Sequence, residues 1–168
     1  MAIYTKAGDK GETKVFDKKT GQLTNISKTS CKIEAIGTID ELNSFLGIVG
    51  GQTEIQGNLF TINSILAGSN LLFTKNYVKK LEKQLDKWEG ELPVQKNFIY
   101  YGGSEKASLV FFARALARRA ERALIEFSKE QNVPEAILTY FNRLSDYLFM
   151  MGRSENYKAK VKEKFWKR

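Results

Sequence analysis

One stretch constrains this chain more than any other: from Lys106 to Lys129 no glycine or proline interrupts it. Within it Leu109, Phe112, Ala113, Leu116, Ala120, Leu124 and Phe127 recur at three- and four-residue steps. That spacing lays an apolar stripe along one side of an α-helix and is incompatible with the two-residue alternation of a half-buried strand. A helix this long needs other helices to cover its stripe, and the rest of the chain supplies them. Only 2 prolines and 13 glycines occur in 168 residues, which favours long helices over many short strands. Val78, Leu81, Leu85 and Trp88 form a second stripe that stops at Gly90 and Pro93. Leu59, Ile62, Ile65, Leu66 and Leu72 form a third, and a further helix is predicted after Pro134 through "AILTYFNRLSDYLFMMGRS". Four or five amphipathic helices with short joins make an all-α, up-and-down bundle the predicted fold.

The first helix is predicted from Thr38, because "TIDELNSFLGIVGG" has the form of a capping box, with Thr38 as N-cap and Glu41 three residues on. Asp40 and Glu41 would then sit in the first turn, where acids complement the helix dipole. Gly50 and Gly51 would close it. Residues 1–30 are polar and punctuated by glycine, with short β-prone pieces at Ile3-Tyr4 and Lys14-Val15-Phe16, and read as an ordered loop arm.

The chain carries a formal charge of +8, which favours an anionic partner. Its densest basic block, "YKAKVKEKFWKR", reads as a solvated tail. Zinc-finger spacing and the glycine-aromatic RNA-binding signature are both missing. No histidine is present, so Ser–His or Cys–His nucleophiles and histidine metal ligands are excluded. Any enzyme built on this chain works by positioning and electrostatics or borrows reactivity from a bound reagent. The single cysteine, Cys31, leaves no internal disulfide and suits a reducing compartment. With no signal-peptide pattern and no apolar run of bilayer length, the expected location is the cytoplasm.

Three polar constellations remain. In "ARALARRAER", Arg114, Arg118 and Arg122 step by four and share a helical face, with Glu121 beside it. Spacing alone leaves two readings open, a solvated basic face or a rail on which guanidiniums grip phosphate with paired hydrogen bonds. Asn142 and Asp146 lie one turn apart in "NRLSDYLF" and either face the same site or cap the surface. Two glycine turns complete the set. "FIYYGGS" offers Gly102-Gly103-Ser104 as a turn and N-cap. "YTKAGDKGETK" lacks Walker A spacing, yet Gly8 and Gly11 could aim amides at an anion, with Lys6, Lys10 and Lys14 adding charge.

Taken in order, "IYTKAGDKGETKVF", "EAIGTIDELNSFLG", "FIYYGGS", "ARALARRAER" and "NRLSDYLF" resemble the ATP:cob(I)alamin adenosyltransferases of the PduO type. The resemblance runs through most of the chain and is loosest between Gln52 and Lys96. It implies a five-helix bundle, one domain over residues 1–168, with an ATP-binding arm at 1–30 and the bundle at 38–168. It also implies a homotrimer with active sites between subunits. The implied reaction moves the 5′-deoxyadenosyl group of ATP onto cob(I)alamin and releases triphosphate. By this resemblance Thr5, Lys6, Gly8, Asp9, Lys10, Gly11 and Thr13 wrap the triphosphate, and Lys28 contacts phosphate. Arg118, Glu121 and Arg122 match functional residues of the R-R-A-E-R segment, and Asn142 completes the nucleotide site. Asp40 matches an aspartate that pairs across the interface with Arg118. Phe98 matches an aromatic that crowds the lower face of cobalamin and helps displace its axial ligand.

The implied chemistry suits a chain without histidine. Cob(I)alamin is itself a strong nucleophile, so no protein base has to remove a proton. The departing triphosphate needs cations, supplied by arginines, lysines and a magnesium ion (Mg2+) held by the phosphates rather than by side chains. A reductase partner would supply cob(I)alamin, with neither nucleic acid nor membrane involved. The sequence departs from the family pattern at Ala7, at Glu12 beside the proposed triphosphate, at Lys32, and at Tyr100-Tyr101. Two other functions are compatible with the sequence: an ATP-binding bundle that regulates without transfer, and a basic adaptor that binds nucleic acid through its tail.

Overall fold

A computed structural model describes residues 6, 8–17 and 20–167. Two short strands precede five helices. The strands are β1 (Glu12–Asp17) and β2 (Gln22–Ser27), and the helices are α1 (Cys31–Val49), α2 (Thr53–Ala67), α3 (Lys75–Glu91), α4 (Glu105–Ser128) and α5 (Glu135–Lys158). Helix α4 packs on α5 and α1, α3 packs on α5, and α1 packs on α2, as expected of an up-and-down bundle.

The bundle is held by a continuous apolar core. Ile39, Leu42 and Leu46 of α1, Leu59 and Ile62 of α2, Leu124 of α4 and Ile137, Leu144 and Leu148 of α5 are completely buried. Each such side chain contributes about 1.5–3 kcal/mol by leaving water. One polar contact is enclosed in this core. The Asn58 amide donates to the Tyr140 hydroxyl at 3.2 Å, and burial pushes the tyrosine's pKa upward.

Helix α1 corrects the expected start. It begins seven residues earlier than Thr38, capped by Ser30, whose hydroxyl accepts from the Ile33 amide at 3.4 Å. Glu34 takes the first-turn acidic position. Thr38 is buried mid-helix and donates to the Ala35 carbonyl at 3.0 Å, while Asp40 and Glu41 lie two turns further in than a first-turn role requires. The bundle therefore starts at Cys31 rather than 38. Gly50 does end the helix, its amide bonding to the Leu46 carbonyl.

The described part of the arm is strand rather than loop over 12–17 and 22–27. β1 and β2 pair antiparallel from Glu12↔Ser27 to Asp17↔Gln22, forming a hairpin. It docks on the end of α2: a Cβ on Gly68, which adopts φ +113° as the α2 C-cap, would lie 2.4 Å from the Phe16 carbonyl oxygen. Ile3 and Tyr4 lie outside the described residues.

Two further expectations change. Phe112, placed on the α4 stripe by its spacing, is exposed, with the Phe45 ring edge-on to it, whereas Val110, Phe111 and Ala117 share the buried face. The basic tail keeps its lysines in solvent but is not free. Phe165 forms an antiparallel bridge with Ile99, and Glu163 is ion-paired to buried Arg153. Helix α3 ends at Glu91, with Leu92 rather than Gly90 as its cap.

Candidate functional site

The predicted site residues fall into three groups. The first lies in the arm, where the chain turns at Gly8–Gly11 before entering β1. The Gly11 amide donates to the Gly8 carbonyl at 3.2 Å, and the Lys28 amide donates to the Gly11 carbonyl at 2.9 Å. The Lys28 ammonium reaches back across the hairpin to the Gly8 carbonyl at 2.8 Å. Lys28 thus ties the glycine turn to the end of β2 and brings its own charge there. Lys6, Asp9 and Lys10 are exposed around the turn, Thr13 is half-buried in β1, and Glu12 is exposed at the head of that strand. Thr5 and Ala7 lie outside the described residues.

The second group lies where α4 crosses α5. Arg118 and Arg122 are exposed, one turn apart on α4, and neither forms an ion pair among the described residues. The Asn142 side-chain amide of α5 donates to the Glu121 carboxylate at 3.2 Å, and the Arg143 guanidinium donates to Asn142 Oδ1 at 2.9 Å. Arg143 also donates to Glu82 of α3 at 3.0 Å. A polar chain therefore runs from α4 through α5 to α3, fixing Asn142 and leaving the two arginines unneutralised. Asp146 joins it weakly, 3.9 Å from Arg143.

The arginine rail is shorter than its spacing predicts. Arg114 lies half-buried with its guanidinium carbon 5.1 Å from the Tyr101 ring centre and 5.5 Å from that of Phe149. It is held by cation–π contacts and is not presented to solvent like its neighbours. Arg119, on the adjacent face, pairs with Glu41 of α1. Asp40 is exposed on the same helix and takes no ion-pair partner among the described residues.

The third group surrounds Phe98, a residue 75% exposed. Ile99 is buried against Ala107 and Phe111, so strand-like alternation turns Phe98 and Tyr100 to the opposite, solvent-facing side. The next turn, Gly102–Ser104, is plugged from α5. The Ser104 amide donates to Asn156 Oδ1 at 2.8 Å, and Asn156 Nδ2 donates to the Gly102 carbonyl at 2.8 Å. Ser104 caps α4 by accepting from the Ala107 amide.

Among the described contacts none joins the arm to Arg118, Arg122 or Phe98 within one chain. Sequence reasoning missed Arg153 and Asn156. Asn156 continues the four-residue series Leu144, Leu148, Gly152 along α5, a polar residue in a buried row, and that was the available signal. Among the described residues no group of three or more Cys, Asp or Glu is arranged to hold a metal ion, and no helix is long and apolar enough to cross a membrane.

Comparison with known proteins gives these groups a context. The sequence matches the family described as cobalamin adenosyltransferase over residues 3–155. It is 37% identical to a corrinoid adenosyltransferase of Bacillus subtilis (strain 168), over 96% of this chain and 90% of that protein. It is 39% identical to the corrinoid adenosyltransferase PduO of Citrobacter freundii, spanning 95% of this chain but only 51% of that longer relative. A solved variant of a PduO-type ATP:corrinoid adenosyltransferase from Lactobacillus reuteri, complexed with cobalamin and ATP, superposes with a TM-score of 0.89. It is 31% identical, and the match covers 99% of this chain and 100% of that one.

Proposed function

The chain belongs to the cobalamin adenosyltransferase family, and on that premise we propose that it transfers the 5′-deoxyadenosyl group of ATP to cob(I)alamin. The products are adenosylcobalamin and triphosphate. One observation carries the reading: Arg118 and Arg122 stand a turn apart, unneutralised, beside the Asn142–Glu121 hydrogen bond.

In this reading the cobalt of cob(I)alamin attacks the ribose 5′ carbon. A Co–C bond forms, the C5′–O bond breaks, and its electron pair leaves with triphosphate. No proton moves, which suits a chain without histidine. Thr5, Lys6, Gly8, Asp9, Lys10, Gly11, Thr13 and Lys28 hold the triphosphate. Arg118 and Arg122 stabilise the charge that grows on it, and donors already in place at a developing charge are the largest single source of rate. Glu121 and Asn142 complete the nucleotide site, and Phe98 crowds the lower face of the corrinoid.

Among the described residues the arm and the arginines do not meet within one chain, which supports a site shared between copies. We assign a homotrimer in which Asp40 of one protomer pairs with Arg118 of the next. The exposed apolar side chains Ile48, Phe112 and Ile125 on α1 and α4 are suited to that interface. Magnesium, in this scheme, arrives on the phosphate oxygens of ATP, since the described carboxylates are not clustered to hold it. A single domain, a cytoplasmic setting and a reductase that supplies cob(I)alamin complete the reading.

The test is an assay with ATP and chemically reduced cobalamin, following the corrinoid absorbance. Conversion to adenosylcobalamin supports the transferase. ATP binding without conversion would point instead to a nucleotide-binding regulator, and salt-sensitive nucleic-acid binding alone to an adaptor. Arg118→Ala should lower kcat by about 10²–10³-fold, the usual cost of removing one preorganised donor. Turnover near that of the unmodified protein would remove Arg118 from the site.

A further inference from the structure

Phe98 lies in a segment outside the helices, yet that segment is held at several points. Its start is fixed by Arg153 of α5, which is only 5% exposed. The Arg153 guanidinium donates to Glu163 Oε1 at 2.7 Å and Oε2 at 3.2 Å, and to the Pro93 carbonyl at 2.8 Å. Burying an ion pair is seldom the most stable choice, since apolar side chains of similar volume often do as well. A guanidinium fork does supply direction, because two parallel hydrogen bonds fix the carboxylate in the plane of the donor. Glu163 is therefore set in one orientation.

The segment that pairs with the Phe98 segment begins directly after Glu163. The Tyr100 amide donates to the Lys164 carbonyl at 2.9 Å, and the Trp166 amide donates to the Phe98 carbonyl at 2.8 Å, bracketing Ile99 opposite Phe165. Both chain segments that leave this pairing lead back to the same guanidinium, one through Pro93 and one through Glu163. Arg153, Leu92 and Pro93 also form the wall between two surface cavities of about 880 and 720 Å³, the larger of them lined by Arg143 and Asp146 of the polar chain.

We propose that Arg153 is a positioning residue for Phe98: its fork to Glu163 sets the register of the bridging segment 164–166 and so the height at which the Phe98 ring stands. This inference rests on the reading of Phe98 as the residue that crowds the lower face of cobalamin. Asn156, which pins the Gly102–Ser104 turn, holds α4 rather than the ring and serves no such role.

The experiment compares Glu163→Gln, Phe98→Ala and the double variant in the full-length protein. It measures kcat/KM for cob(I)alamin, KM for ATP, and the absorbance spectrum of bound cob(II)alamin with ATP, which reports loss of the lower axial ligand. Glu163→Gln keeps the shape of the side chain and removes its charge. It should lower kcat/KM for cob(I)alamin by about ten- to a hundredfold, the scale of a misplacement near 1 Å. KM for ATP should hold, and the spectrum should move toward the axially ligated form. The double variant should be no worse than Phe98→Ala alone, and Arg153→Lys, which keeps charge without the fork, should behave like Glu163→Gln. A normal spectrum in Glu163→Gln beside an altered one in Phe98→Ala overturns the role of Arg153 and leaves that of Phe98 standing. A normal spectrum in Phe98→Ala overturns both. An equal loss in the parameters for both substrates, with lowered melting temperature, would reduce the ion pair to a structural latch and overturn the proposal.

Discussion

The chain has two glycine turns of similar appearance, Gly8–Gly11 in the arm and Gly102–Ser104 before α4, and they have opposite fates. At Gly102–Ser104 the hydrogen-bonding capacity is consumed from inside. Asn156, buried in α5, satisfies the Ser104 amide and the Gly102 carbonyl, and Ser104 spends its hydroxyl on the helix. At Gly8–Gly11 the turn is held by one lysine and a few backbone bonds, and Lys6, Asp9 and Lys10 are exposed. Glycine content alone therefore does not mark an anion site. In the proposed reading the arm turn takes the anion because its lysines Lys6 and Lys10 stay in solvent after the fold has formed.

This contrast is most exposed to test at Gly103. Its φ is +115°, and a Cβ there would lie 2.2 Å from Asn156 Oδ1. Gly103→Ala therefore strains the backbone and ejects Asn156 from its bonds, a loss of about 2–4 kcal/mol in unfolding free energy. Chemical denaturation measures it, and KM for ATP should not change in the protein that folds. A nucleotide defect with normal stability would reverse the roles of the two turns.

Lys28 probes the other turn. Lys28→Ala removes a charged hydrogen bond from the Gly8 turn and should raise KM for ATP by about ten- to a hundredfold, as the loss of about 1.5–3 kcal/mol implies. Stability should shift by no more than about 0.5 kcal/mol, since the side chain is exposed. An unchanged KM would return the arm to a plain lysine-rich turn.

The smallest effect is at Glu155, next to Asn156. Burial pushes its carboxyl upward, but hydrogen bonds and charge from Lys158 and Lys106 outweigh this and hold the pKa below the ordinary value of 4.5. A lowered folded pKa means that this stabilisation is present above pH 4.5 and is lost as pH falls through the folded value. Glu155→Gln should cost about 0.5 kcal/mol or less at neutral pH and should flatten the loss of stability on acidification, read from denaturation curves across pH 3–6.

How much of this was legible in the sequence depends on the range of the contacts involved. Helices α3, α4 and α5 were legible because their stripes are local and periodic, and Pro134 marks the start of α5. The start of α1 was not, because Thr38 and Glu41 imitate a capping box while the true cap, Ser30, lies among polar residues that look like loop. β2 was missed because "QLTNIS" is half exposed and carries little alternation of apolar residues. In the candidate site, the free arginines 118 and 122 could be read from four-residue spacing. Arg114 could not be told apart from them, since the rings of Tyr101 and Phe149 that claim it are brought in by the fold. The ties from Arg153 to Glu163 and Pro93 are tertiary and leave no periodic trace.

The pairing of Phe98 with Trp166 bears on the order of assembly. Synthesis delivers the chain from its N-terminal side. The stretch at 98–100 is made long before its partner at 164–166, so that edge stays open until those residues have been added. A product that stops soon after Lys158 would lack both the partner of Phe98 and the carboxylate of Glu163, so the edge that sets the ring and the neutralisation of a buried guanidinium, worth about 3–5 kcal/mol, are lost in one cut.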